Sequence, residues 1–266
     1  MPAGFPASFE IDIRLDHDPR YVGSTHDDDT ARKFGFRAAL VPGAFLYGHV
    51  SRLAVDAWGE EWLTRGAMGM RFRRPAYDGD RLTISAGVAI ASDAGLRADA
   101  QVTNAAGEQL AVGWIAKPRD AAQPPVIEGA PPPLPDPKID AETGLKVGAC
   151  IGSRNAILTS ADLAISLAAF QETHDAYANG SLAHPGCPMR LAMGDVNQSF
   201  ALPTPPIFAS IETQHFRTVH AEQRIATSGV VVELYERNNR RYFVTDEILT
   251  ADGLVAARYR RSQALA

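Results

Sequence analysis

Two short phrases of the chain carry residue types suited to acid–base chemistry. Ser24-Thr-His-Asp-Asp-Asp-Thr30 is followed by Val41-Pro-Gly43 and an apolar stretch, and Glu172-Thr-His-Asp175 is followed by His184-Pro-Gly186 and another. An imidazole titrates near neutrality, and a carboxylate beside it raises its pKa and selects its tautomer. His26 with Asp27 and Asp28 is therefore the first candidate for proton transfer, and His174 with Asp175 is its weaker copy. The first phrase also reads as a helix start, with Thr25 as N-cap and acidic residues in the first turn, where they favour the helix dipole. Asp28 and Asp29 need no catalysis to explain them, whereas both readings accommodate His26. His49, on a predicted helix, is either a hydrogen-bonded core residue or part of a pocket lining. His184 is expected to order the loop before a second helix, and His215 and His220 are expected at the surface. Cys187 follows Gly186 at a helix start that could lower its pKa, but no positioned histidine makes it a nucleophile. No metal-ligand spacing and no phosphate-cradling glycine loop occurs, so neither a metal nor another cofactor is expected.

The elements that must position these groups fall into two halves. The 266 residues suffice for one large domain or two ordinary ones, and 45% apolar with 21% charged residues is globular composition. A net charge of −5 gives no general attraction for nucleic acid or anionic membrane, so an anionic ligand would need a local basic patch. The two cysteines form no disulfide framework. The N-terminal stretch has no leader-like pattern and no run approaches a bilayer span, so the expectation is a soluble cytoplasmic protein. Pro118–Lys138 holds eight of the 18 prolines and predicts an extended linker between domains at 1–117 and 139–266.

The halves repeat. His26 matches His174, and Pro42-Gly43 matches Pro185-Gly186. Met70–Ile84 matches Gln214–Thr227, and Val102–Trp114 matches Ile248–Tyr259, all in one order. Gly43–Trp58 has apolar residues at helical spacing, with small residues Gly43, Ala44 and Gly48 that would let a sheet approach closely. Alternating runs separated by turn sequences follow in each half, which predicts an α+β fold formed by tandem duplication.

Gly35-Phe-Arg-Ala-Ala-Leu-Val-Pro-Gly43, Phe72-Arg-Arg-Pro-Ala-Tyr-Asp-Gly-Asp-Arg-Leu82 and Leu182-Ala-His-Pro-Gly186 resemble segments of MaoC-like (R)-specific enoyl-CoA hydratases. The resemblance covers most of both halves. It implies a tandem (double) hotdog fold, two antiparallel sheets each wrapping a central helix, and a homodimer through the sheets. It implies an acyl-CoA or related small-molecule partner and hydration or dehydration of an α,β-unsaturated or 3-hydroxy acyl thioester. Nucleic acid and membrane are not among the expected partners. In that family an Asp and a His five residues later hold the reacting water, and a backbone N–H at the central helix start polarises the thioester carbonyl. Carried over, this makes Gly43 the oxyanion donor with Gly186 as its copy. His49, Tyr47 and His174 would then be substrate-binding groups, and Arg73 a phosphate contact. The chain departs from the pattern: Tyr21 stands five residues before His26 and Ala169 five before His174, and counting back from Gly43 puts the family's His at Thr25. A thioesterase or another lyase on the same fold, or a non-catalytic acyl-binding protein, are the alternatives.

Overall fold

The computed structural model describes residues 4–16 and 18–265. Residues 1–3, the start of the stretch read above for a leader pattern, lie outside the described residues.

The first half opens with β1 (Ala7–Asp12), whose alternate residues face inward and outward, as its polar–apolar alternation requires. Helix α1 (Asp28–Lys33) and the central helix α2 (Gly43–Trp58) follow. Twelve of α2's sixteen residues are apolar or glycine, spread over every side, so the helix is buried rather than amphipathic, from Ala44 to Val55 with only Arg52 half-exposed. It ends at Gly59, whose φ of 66° is costly for any residue with a Cβ. Helix α3 (Glu60–Arg65) leads into β2 (Ala67–Phe72), β3 (Arg81–Ala86), β4 (Ile90–Ser92), β5 (Gly95–Asn104) and β6 (Gln109–Pro118).

The second half begins with β7 (Ile139–Asp140), α4 (Ala141–Gly144), β8 (Cys150–Ile151) and β9 (Ala156–Ile157). Helix α5 (Ser160–Ala169) precedes the second central helix, α6 (Gly186–Ser199), which leads through β10 (Phe200–Ala201) into β11 (Pro206–His215), β12 (Arg224–Arg237), β13 (Arg240–Ala251) and β14 (Leu254–Leu265). Thr159 caps α5 in a capping box with Asp162.

Strand order bears out the repeat. From its outer edge the first half runs β1-β3-β5-β6-β2, and the second runs β8-β12-β13-β14-β11, so corresponding strands take corresponding places. One expectation needs correction. The halves do not form two separate sheets, because β2 pairs antiparallel with β11, Arg71 opposite Ser210 and Ala67 opposite Gln214. The pairing satisfies two edges that would otherwise leave a row of free backbone groups, and it joins both halves into one twelve-stranded sheet. The two central helices pack against each other inside it.

Pro118 is the last residue of β6, opposite Gly95. From residue 119 to 138 the chain is irregular, except where Pro133 bridges Ser153, whose N–H donates to Pro132 O at 2.8 Å.

Candidate active site

His26 lies between two half-exposed loops. Its Nδ1 is 2.7 Å from Leu40 O, and its ring meets the Tyr21 ring at a centroid distance of 5.0 Å. A carbonyl only accepts, so Nδ1 carries the proton and, in the neutral ring, Nε2 holds the free lone pair. Burial holds the imidazole pKa below its ordinary 6.5, which keeps the ring neutral at pH 7. The ring lines a cleft of about 620 Å³, with Leu15, Asp28, Arg37, Tyr77 and Asp78.

The wall behind His26 comes from both halves. Tyr21 Oη donates to Asp16 Oδ1 at 2.5 Å and accepts from Arg190 Nη2 at 3.0 Å. Arg190 belongs to α6, lies 3.7 Å from Asp16 and 3.8 Å from Asp18, and crosses the Phe45 ring of α2 at 5.2 Å. Burial pushes the Tyr21 phenol above its ordinary 10, so it stays protonated at neutral pH.

The carboxylates expected beside His26 have other partners. Asp27, not Thr25, is the N-cap of α1: its Oδ2 accepts from Thr30 Oγ1 at 2.7 Å and Thr30 N at 3.3 Å. The Thr30 hydroxyl holds the Asp27 carboxyl below the usual range. Asp28 accepts from Ala39 N at 2.7 Å and from Arg32 at 2.9 Å, which ties α1 to the segment before α2. Cap geometry aims both carboxylates at backbone, so the group that orients His26 is the Leu40 carbonyl. Thr25 is buried, and its carbonyl accepts from Leu40 N at 2.9 Å.

Gly43 begins α2 beneath two aromatic rings. A Cβ there would lie 3.2 Å from Phe208 and 3.5 Å from Phe72. At Gly48 it is not the sheet that comes close but the second half, since a Cβ would be 2.4 Å from Phe170 and 2.9 Å from His184. Tyr47 is fully buried, and neither its hydroxyl nor that of Thr213 completes a hydrogen bond among the described residues. His49 is buried with Nε2 unpartnered among the described residues, and burial pulls its pKa down to about 4.

The second copy is closed. His174 Nδ1 accepts from Ala176 N at 3.0 Å, capping a short turn, and its Nε2 is 3.4 Å from Asp56. Gly186 N donates to His184 Nδ1 at 3.2 Å, and a Cβ on Gly186 would sit 2.1 Å from the Phe170 ring. The helix start that should mirror Gly43 is thus occupied, and Gly186 has no N–H to offer a thioester. His184 does order this loop, as expected. Sequence reading missed Glu172. Its side chain is 3% exposed, lies 3.7 Å from both Arg52 and His184, and accepts from the N–H groups of Thr173 and His174 at 2.7 Å. Its one mark in the sequence is its place two residues before His174, whose backbone N–H it accepts.

Arg73 donates to Gln109 at 2.9 Å and is not among the residues lining the His26 cleft. His215, expected at the surface, is buried against Trp62 with a centroid distance of 4.9 Å. Burial raises rather than lowers the Cys187 pKa, so the thiol is inert. No described helix is long and apolar enough to cross a membrane.

No family model matches the chain, and no curated protein matches it. Solved structures do. A Chloroflexus aurantiacus protein classed as a MaoC domain dehydratase is similar over 98% of this chain and 95% of its own, with 15% identity and a TM-score of 0.64. A conserved Mycobacterium tuberculosis protein with a double hotdog fold is similar over 97% of this chain and 96% of its own, with 15% identity and a TM-score of 0.65. The 12:0-ACP thioesterase of Umbellularia californica covers 98% of each chain, with 11% identity and a TM-score of 0.55. At these identities the likeness is one of fold: the chain is an α+β tandem hotdog.

Proposed function

We propose that the protein adds water to, or removes it from, an α,β-unsaturated or 3-hydroxy acyl thioester in the cleft at His26. One observation carries the reading: a neutral imidazole, fixed by the Leu40 carbonyl, lines an approximately 620 Å³ cleft, and its basic Nε2 has no hydrogen-bond partner among the described residues. In hydration, Nε2 takes a proton from water as the oxygen bonds to the β-carbon. The electron pair of the double bond moves toward the thioester oxygen, and the imidazolium then returns the same proton to the α-carbon. One base thus suffices, which accounts for Tyr21 standing where the family pattern has an acid. In this reading the N–H groups of Gly43 and Ala44 are the donors for the enolate oxygen, since Phe45 N already donates to Pro42 O at 2.8 Å. The Leu40 carbonyl favours the transient imidazolium most, and Asp16, held by the Tyr21 phenol and Arg190, adds a smaller attraction that the Arg190 charge opposes.

The solved thioesterases of this fold supply the second reading, in which the same Nε2 directs water at the thioester carbonyl. A series of enoyl-CoA and 3-hydroxyacyl-CoA substrates separates the two, with loss of the conjugated-enoyl absorbance read beside release of free thiol. Hydration predicts the first signal without the second, lowered by about two to four orders of magnitude in His26→Ala. Thiol release that depends on His26 would establish hydrolysis instead. Equal rates in the parent and in His26→Ala would remove His26 from the chemistry.

A further inference from the structure

The outer side of β12 is covered only in part. β9 pairs at Arg224 and Ile225, β8 pairs at Gly229 and Val230, and Val231 exchanges hydrogen bonds with Gly148 and Ala149. From Val232 to Arg237 that side has no strand partner among the described residues. The hairpin that follows turns at Asn238 and Asn239, with φ of 51° and 58°, so Arg237 stands directly opposite Arg240. Like charges in that position destabilise a strand pair. Neither of them, nor Arg241 beside them, is in an ion pair among the described residues. Val147 and Leu234 stand along the same edge, 61% and 38% exposed. We propose that this edge pairs with the same edge of a second copy of the chain, antiparallel about a two-fold axis at Tyr235. The resemblance implies a homodimer through the sheets; the charges select the edge and the register.

Backbone parity sets what the edge offers. Residues flanking a two-residue turn exchange hydrogen bonds, so Arg237, Tyr235 and Glu233 turn their N–H and C=O toward β13. Those of Leu234 and Glu236 point outward. With the axis at Tyr235, Leu234 lies opposite the second copy's Glu236 and exchanges both bonds with it. Glu233 lies opposite the second copy's Arg237 on one face, so each Arg237 gains the carboxylate that its own hairpin lacks. At home Glu233 meets only Arg260, at 3.5 Å, an exposed pair of little strength that leaves it able to take a second guanidinium. Tyr235 stacks on Tyr242 at 4.8 Å with 3° between the rings, and the stack continues across the axis onto the second copy's Tyr235. Neighbouring registers are worse. An axis at Leu234 puts Glu233 opposite Tyr235 and runs Arg237 into the β8 side, and an axis at Glu236 sets that carboxylate against its own copy. The sheet's other edge is defended: on β1, Glu10 and Asp12 share one guanidinium, that of Arg81, so two such edges would bring surplus carboxylates together.

Sedimentation velocity of the full chain is expected to show a dimer that dissociates on dilution. Glu233→Arg and Arg237→Glu should each weaken association about tenfold or more, and the double variant should recover most of it, because only this register sets the two positions opposite each other. Circular dichroism should show an unchanged fold, since both side chains are exposed. In a Cys150→Ser background, Tyr235→Cys should oxidise to a disulfide-linked dimer, and Arg240→Cys, on the far strand of the hairpin, should not. A chain that is monomeric at about 100 μM, or a dimer that both charge reversals leave intact, overturns the proposal. Single variants that are monomeric with no recovery in the double variant overturn the register, and the proposal with it. A monomer whose arginines bind polyglutamate instead would make the hairpin the seat of an acidic partner and overturn it as well.

Discussion

Acidification should destabilise this protein between pH 6.5 and 4, well before most of its carboxylates titrate. His49 and His215 are 3% and 5% exposed, and Nε2 of each has no hydrogen-bond partner among the described residues. Burial holds both at a pKa of about 4, against an ordinary 6.5. Their folded pKa values are depressed, so as pH falls the unfolded chain takes up the protons first and stability declines from about pH 6.5 until the folded values are reached. Each shift of about 2.5 pH units corresponds to about 3.4 kcal/mol, and two protons give a slope of about 2.7 kcal/mol per pH unit. Between pH 7 and 5 the loss comes to about 4 kcal/mol, a large part of a typical folding free energy of about 5–15 kcal/mol. His184, held at about 3 by burial and by the neighbouring His49, would add to this loss. Urea unfolding at half-unit pH steps, followed by the fluorescence of Trp62 against which His215 packs, gives the slope directly. His215→Leu should lower that slope by about one proton, or about 1.4 kcal/mol per pH unit. A stability that changes by less than about 1 kcal/mol from pH 7 to 5, or imidazole resonances titrating near 6.5, would refute the reasoning.

Three further outcomes are expected. Because burial depresses the His26 pKa, kcat/KM should rise with pH through a midpoint below 6.5 and be flat at neutrality, and a midpoint above 6.5 would contradict the assignment of Nε2 as base. Arg190→Met and Tyr21→Phe should each lower kcat by roughly tenfold, and together by little more, since they break one linked contact; additive losses in steady-state assays would show independent roles. Gly48→Ala should destabilise by about 1–3 kcal/mol in thermal melts, because the new methyl meets Phe170 and His184 at 2.4 and 2.9 Å.

The sequence made the tandem architecture legible because four matched segments recur in one order, and strand order depends on that order. It did not show that β2 and β11 would join the halves, since edge pairing depends on the placement of both central helices. Residue type misled where period two would have served. His215 alternates with Ile211 and Thr213, all three buried, so its place on the strand already aimed it inward. Arg261 falls on the buried face with Tyr259 and Gln263, where it meets Glu247 across the β13–β14 pairing and is fully enclosed. A charged residue inside needs such a partner, and no local pattern reveals one fourteen positions away. At the candidate site, the phrase marked His26 as a candidate but gave no sign of the group that fixes its ring. A backbone carbonyl leaves no mark in side-chain spacing, and the run of three aspartates drew the reading toward carboxylates that the cap and the Ala39 amide hold elsewhere.

The two copies of the phrase have diverged in a way that the packing explains. In the second half Phe170 fills the space at the helix start, and His184 takes the Gly186 N–H. In the first half the rings over Gly43 stand about an ångström farther off, and His26, whose Nε2 has no hydrogen-bond partner among the described residues, lines a cleft. The closed copy still acts on the open one. Phe170 and His184 press against Gly48 of α2, and Arg190 of α6 holds the Tyr21 hydroxyl behind His26. A half that had merely lost its role could shed these contacts freely. Their presence makes the second half part of the wall of the first half's site, so substitutions on α6 at Arg190 belong with those at His26 when turnover is mapped, although the two residues stand 164 positions apart (190 less 26).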